Sequence, residues 1–294
     1  MKSRTEKEMF ELIQAFIEKD DMIRVAILNG SRANPNIDKD IFQDYDVACF
    51  VRDLKPYLLE ENVVPYFGDT LIDEQPNYGP WPPDDADGSY HNYNMQLMDG
   101  NRIDLSFYVM DKLEDHLKDS LSQVLIDKDG LCLNLSPSNE SSYYIEEPTE
   151  EKFQGCCSAF LFALGSHIPK TLWRRQLPLA KSYTEGWLRV VLRLMLSWEI
   201  GHKTGFEKSL GSGGKYLEKY LDGDKWASYK STYVDADYDK IWDSVFIFYD
   251  LFVESALYVA DAYGYEFSKD KAEKVLTHIK HVRQVPSNAN AIYE

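Results

Sequence analysis

Apolar and polar positions along the chain alternate between two rhythms, and the change from one to the other divides it. Met9, Leu12, Ile13, Phe16 and Ile17 recur at helical spacing within residues 5–19 and stop at Asp20-Asp21, which predicts an amphipathic helix. Ile23-Arg24-Val25-Ala26-Ile27-Leu28 is β-rich and runs into Asn29-Gly30-Ser31, so a strand should end there in a tight turn of small residues. A polar stretch containing Pro35 follows, and a second strand is predicted from Asp46 to Val51. Residues 56–90 have no regular period, with Trp81-Pro82-Pro83-Asp84-Asp85 at their centre. Residues 91–98 and 102–109 alternate on either side of Asp99-Gly100-Asn101, whose Asp-Gly step is a strong hairpin signal. From residue 111 the period becomes helical. A loop from Asp127 to Pro148, including Ser136-Pro137-Ser138-Asn139-Glu140, has the composition of a domain junction. Beyond it residues 149–168, 179–202, 213–221, 237–263 and 268–284 are predicted helices, the pattern of a bundle. The expectation is an α+β protein, with a mixed-sheet domain over 1–135 and a helical domain over 136–294.

The chain has 294 residues, 44% of them hydrophobic and 14% aromatic, which suits two domains with real cores and excludes a disordered chain. A net charge of −17 disfavours a nucleic-acid phosphate backbone as partner and favours a cationic ligand. Cys49, Cys132, Cys156 and Cys157 have neither zinc spacing nor the density of a disulfide scaffold, so reduced buried thiols are expected. No apolar run approaches the roughly 20 residues that a membrane span needs, and a cytoplasmic protein with no membrane partner is expected. No Walker-type loop, dinucleotide fingerprint or recognisable histidine ligand set occurs.

Candidate chemistry gathers around the strand ends. On a strand beginning near Asp44-Tyr45-Asp46, the two aspartates share one face while Tyr45, Val47 and Cys49 take the other. In the later strand Arg102, Asp104, Ser106 and Tyr108 share a face opposite the apolar Ile103, Leu105, Phe107 and Val109. If these strands pair, Asp44, Asp46 and Asp104 converge, and three carboxylates so close require a cation. Magnesium suits them, and two ions would bridge them to nucleotide phosphates. Gly30-Ser31 could hold phosphate oxygens, because glycine lets the backbone approach an anion and the hydroxyl adds a donor.

This order of strand, Gly-Ser, D-x-D and third aspartate resembles the nucleotidyltransferase superfamily fold of DNA polymerase β and kanamycin nucleotidyltransferase. Within it, Leu28-Asn29-Gly30-Ser31-Arg32-Ala33-Asn34, Phe42-Gln43-Asp44-Tyr45-Asp46 and Asp99-Gly100-Asn101-Arg102-Ile103-Asp104-Leu105 are similar to the aminoglycoside 6-adenylyltransferases, the streptomycin-modifying family. Further similarity lies at Leu125–Asp129, Cys156-Cys157, Arg189–Trp198 and Lys215–Leu221, so it spans most of the chain. The resemblance implies that Asp44, Asp46 and Asp104 are catalytic metal ligands for magnesium. It also implies that Gly30 and Ser31, joined by Arg32 and by Lys215 after the glycine-rich Gly211–Gly214, hold the triphosphate of ATP. The chain departs from the family at Asn29, where glutamate is common.

An aminoglycoside is a hydroxyl-rich polycation, and the aromatic, acidic segment with Trp81, Asp84 and Asp85 fits as its binding loop. Asp84, Asp104 or an acid of the helical domain such as Glu185 could take the proton of the attacking hydroxyl. The expected reaction is transfer of AMP from ATP to an aminoglycoside hydroxyl, with ATP and drug meeting between the two domains and pyrophosphate released, which would confer antibiotic resistance. The alternatives are the same transfer to another small molecule or a protein side chain, or a nucleotide-binding protein without turnover.

Overall fold

Thr5 starts the first helix by accepting the Glu8 backbone N–H on its side chain while Glu8 reaches back to the Thr5 N–H, a capping box that fixes where the helix begins. This computed structural model describes residues 2–74 and 88–293. The helix, α1 (Glu6–Lys19), buries Met9, Ile13, Phe16 and Ile17, four of the five apolar positions that predicted it. They pack on the underside of a sheet built from β1 (Ile23–Asn29), β2 (Tyr45–Val51), β3 (Thr70–Glu74), β4 (Tyr90–Leu97), β5 (Arg102–Val109) and β6 (Gln123–Asp127). Between these strands lie the short helices α2 (Gly30–Ala33), α3 (Val64–Phe67) and α4 (Leu113–His116).

The strand order is β3-β4-β5-β2-β1-β6, with β2 and β5 parallel and every other pair antiparallel. This is the expected mixed sheet, and the D-x-D strand lies beside the Asp104 strand. Alternation sends Tyr45, Val47 and Cys49 into the core beneath α1. It sends Ala48 and Phe50 to the other face, where Val25, Ile27, Leu113 and Cys132 close a smaller cluster. Two strands were not predicted. β3 lies in the stretch without a period, and β6 lies where a helical rhythm was expected to continue.

The chain divides into two units, Met1–Ser142 and Tyr143–Glu294. Residues 136–142 are tied to the sheet unit: the Asn139 N–H donates to Ser120 O at 2.9 Å, and Asn34 Nδ2 donates to Glu140 Oε2 at 3.1 Å. The second unit is helical: α5 (Glu150–Phe162), α6 (Ile168–Trp173), α7 (Leu177–Lys181), α8 (Arg189–Thr204), α9 (Leu217–Tyr220), α10 (Gly223–Ser231), α11 (Tyr238–Tyr263) and α12 (Lys269–Gln284). Phe160 of α5 stacks on Phe252 of α11 with ring centres 3.7 Å apart at the middle of its core. The helix predicted over 213–221 shrinks to α9, because Gly213 (φ 64°) and Gly214 (φ 78°) hold left-handed backbone that a helix cannot continue through. Helix α10 was not foreseen. Two wider, π-type turns, Ala163–His167 and Ser182–Leu188, join α5 to α6 and α7 to α8. No helix among the described residues is long and apolar enough to cross a membrane.

Candidate functional site

In the parallel register of β2 and β5, Asp46 stands directly opposite Asp104. Asp44, just before β2, joins them, and one carboxylate oxygen from each of the three lies within 4.8 Å of the others. Burial pushes the Asp46 carboxyl up to about 7 from an ordinary 3.8, reinforced by the charges of Asp44 and Asp104 against the pull of Arg102 and Arg32. Arg102 grips Asp104 with two hydrogen bonds, Nε to Oδ1 at 2.8 Å and Nη2 to Oδ2 at 2.6 Å, and stands 3.8 Å from Asp44. One guanidinium thus faces three carboxylates. A clustered, partly solvated set of hard oxygen donors with excess negative charge fits a divalent cation such as magnesium.

The turn after β1 is shaped around that carboxylate. Gly30 has φ +68°, and a Cβ there would stand 2.9 Å from Asp46 Cγ and overlap Asp46 Oδ2 outright. Gly30→Ala is therefore expected to displace Asp46, cut kcat/KM at least about a hundredfold and cost about 1–2 kcal/mol from the left-handed backbone alone. Steady-state rates and a thermal melt of the variant would check both. Ser31 follows, half-buried, with no hydrogen-bond partner for its hydroxyl among the described residues.

Arg32 points elsewhere. Its Nε donates to Asp44 O at 2.9 Å, its Nη2 donates to Gln43 O at 2.7 Å, and its guanidinium lies 3.8 Å over the Tyr45 ring. Its donors hold the backbone that carries the two aspartates. Asn29 is anchored as firmly, donating from Nδ2 to Leu121 O (3.1 Å) and Ser122 Oγ (2.9 Å). Its Oδ1 must then accept from His116 Nε2 at 2.8 Å, which fixes the tautomer of a histidine whose pKa burial has lowered. Sequence reasoning gave no role to Arg102 or His116. Position 102 shares the Asp104 face by alternation, a signal that was available, whereas nothing in the sequence links His116 to Asn29.

In the helical unit Lys215 is exposed, its stem lies against Gly211, and it forms no ion pair among the described residues. Gly211 and Ser212 rim a cavity of about 800 Å³ that Tyr144, Glu146, Leu194 and Trp198 also line, a volume within the roughly 300–1,000 Å³ of small-molecule sites. Glu185 is held by Lys181 Nζ at 2.9 Å and by Arg189 Nε at 2.7 Å, so both its oxygens are engaged. Trp81, Asp84 and Asp85 lie outside the described residues.

With this geometry in view, a family model described as streptomycin adenylyltransferase matches residues 3–282, nearly the whole chain and the carboxylate triad with it. The chain belongs to that family. An aminoglycoside 6-adenylyltransferase of Staphylococcus aureus is 34% identical over 251 residues, 85% of this chain and 88% of its own length. One of Bacillus subtilis is 31% identical over 266 residues, covering 90% of this chain and 93% of that protein. One of Campylobacter jejuni is 31% identical over 265 residues, covering 90% and 91%. Membership of the streptomycin adenylyltransferase family makes this chain a nucleotidyltransferase, and its Asp44, Asp46 and Asp104 cluster lies inside the matched region.

Proposed function

We propose that the chain transfers AMP from ATP to a hydroxyl of an aminoglycoside, streptomycin or a close relative, releasing pyrophosphate in a magnesium-dependent reaction. The observation that carries the reading is the convergence of Asp44, Asp46 and Asp104 beside the Gly30-Ser31 turn. The aminoglycoside 6-adenylyltransferases similar to it over most of its length support the acceptor class, and so does a net charge of −17 that draws in a polycation.

Asp44, Asp46 and Asp104 would hold magnesium, which when bound draws the phosphate oxygens of ATP to the carboxylates and offsets their charge. Gly30 brings the backbone close to the triphosphate, and the Ser31 hydroxyl donates to a phosphate oxygen. Arg32 and Asn29 keep the turn and the D-x-D segment in register, which is positioning rather than contact with substrate. The acceptor hydroxyl oxygen forms a bond to the α-phosphorus, the bond from that phosphorus to the bridging oxygen breaks, and pyrophosphate leaves. The proton of the hydroxyl passes to a general base, for which Asp84, Asp104 and Glu185 are the candidates; Arg102 engages both oxygens of Asp104, and Lys181 and Arg189 engage those of Glu185.

Lys215 would meet the triphosphate. Lys215→Met is then expected to raise KM for ATP about tenfold with little effect on KM for the drug, as loss of one charge-assisted hydrogen bond predicts.

The acceptor is tested by incubating the protein with ATP labelled at the α-phosphate, magnesium and a panel of aminoglycosides. Label on a drug supports the reading. Label on the protein alone, or on no product, would overturn it in favour of another acceptor or of a protein that binds nucleotide without turnover.

A further inference from the structure

The cross-strand register lines up one residue from each of four strands at the height of the site. Asn29 of β1 faces Asp46 of β2, Asp46 faces Asp104 of β5, and Asp104 faces Asn94 of β4. Directly paired residues share a sheet face, with neighbouring strands about 4.8 Å apart, so the row runs straight across the sheet. One step behind it stand Ile27, Ala48, Ser106 and Asn92.

The two halves of this face differ in chemistry. On the β1–β2 side Val25, Ile27, Ala48 and Phe50 are buried under Leu113 and Cys132. On the β5–β4 side the same face presents Ser106, Asn92 and Asn94, all only partly buried. Asn92 Nδ2 donates to Asn94 Oδ1 at 3.1 Å. Asn92 Oδ1 is shielded from solvent and accepts no hydrogen bond among the described residues. A buried carbonyl oxygen without a donor is costly, and Asn92 stands two residues along β4 from Asn94, the residue paired with Asp104.

In-line displacement settles which ligand. The entering and leaving oxygens stand on opposite sides of the α-phosphorus. With pyrophosphate leaving toward Gly30-Ser31 at the β1 end of the row, the incoming hydroxyl enters from the β5–β4 end. We infer that Asn92, with Asn94 and Ser106 beside it, forms an acceptor subsite that binds a hydroxyl or ammonium of the incoming polycation through Asn92 Oδ1. The inference rests on the AMP-transfer reading above and adds to it the residues that hold the acceptor.

The test measures KM separately for MgATP and for streptomycin, or for whichever aminoglycoside the wild type modifies, in Asn92→Leu and Asn92→Asp. Leucine fills a similar volume without an acceptor atom, and aspartate retains the Oδ1 acceptor. The expected result is an acceptor KM raised about tenfold or more in Asn92→Leu, an acceptor KM within about threefold of wild type in Asn92→Asp, and a MgATP KM unchanged within about twofold in both. Asn92→Ala carries the same expectation as the leucine variant if that protein does not fold. An unchanged acceptor KM in the leucine or alanine variant overturns the subsite. A rise confined to MgATP overturns it too and gives Asn92 to the ribose instead. Wild-type protein that modifies no aminoglycoside overturns the activity itself, a failure read before any variant is compared.

Discussion

Asp46→Asn is expected to lower kcat by about 10³-fold or more and yet to raise the melting temperature of the metal-free protein. Both effects come from the same carboxylate. Its place between Asp44 and Asp104 makes it a metal ligand in the proposed reaction, and the same place makes its charge unfavourable when no cation balances it. The folded pKa is raised to about 7, while an unfolded aspartate titrates near 3.9. Between those values the native state holds more protons than the unfolded chain, so stability falls as pH rises from about 4 to 7. Above pH 7 the full penalty is present. Asparagine is neutral at every pH, so the gain from the substitution should be near zero at pH 4 and reach about 2 kcal/mol at pH 8. Magnesium should stabilise the wild type more at pH 8 than at pH 5.5 and leave Asp46→Asn nearly unaffected. Thermal melts across pH, with and without magnesium, would check this. A variant less stable than wild type at pH 8 without metal would contradict the electrostatic reading of the triad.

Lys225→Met is expected to produce the largest loss of stability from a single substitution away from the triad. Lys225 on α10 and Glu199 on α8 are both buried, with Nζ 2.9 and 2.8 Å from the two carboxylate oxygens. Glu254 of α11 adds a third contact at 2.9 Å, so the lysine ties three helices together. Burial alone would raise the Glu199 pKa, but hydrogen bonds from Lys203 and Lys225 outweigh it and hold the carboxyl below its ordinary range. Methionine keeps the stem and removes the charge, leaving Glu199 with Lys203 as its remaining cation. The cost expected is about 3 kcal/mol, the lower end for breaking a buried pair because Lys203 stays. Pairing the substitution with Glu199→Leu should recover most of it, because no buried charge is then left alone. Denaturant unfolding of the single and double variants measures both. A double variant no more stable than Lys225→Met would show that the lysine acts through packing rather than charge.

The convergence of the three aspartates was legible in the sequence because its signals are local and obey strand alternation. The Asp44-Tyr45-Asp46 triplet and the Arg102–Tyr108 pattern each fix which side chains share a face, and one pairing rule brings them together. What stayed hidden depends on contacts between distant segments. β6 is an edge strand whose residues are at most partly buried, so it has no clean two-residue period and its sequence continues the preceding helical rhythm. α10 is largely polar, with little amphipathic contrast, and it is held by the buried Lys225. The helix expected over 213–221 is shorter because Gly213 and Gly214 take positive φ, which interrupts a stretch whose apolar spacing is otherwise helical. The bonds from Arg32 to the Gln43 and Asp44 carbonyls could not be read from its place beside Gly30-Ser31, because only the fold brings those carbonyls within its reach. The pairing of Asn29 with His116 spans most of the sheet unit, and no spacing rule connects them.

The central claim is that the three aspartates form one metal-dependent AMP-transfer site. It is tested most directly by the mass of streptomycin after incubation with ATP and the protein under four conditions: with magnesium, with a chelator, with Asp46→Asn, and with Asp104→Asn. The drug should gain one AMP with wild type and magnesium alone. An AMP adduct that persists with the chelator or with either variant would contradict the claim.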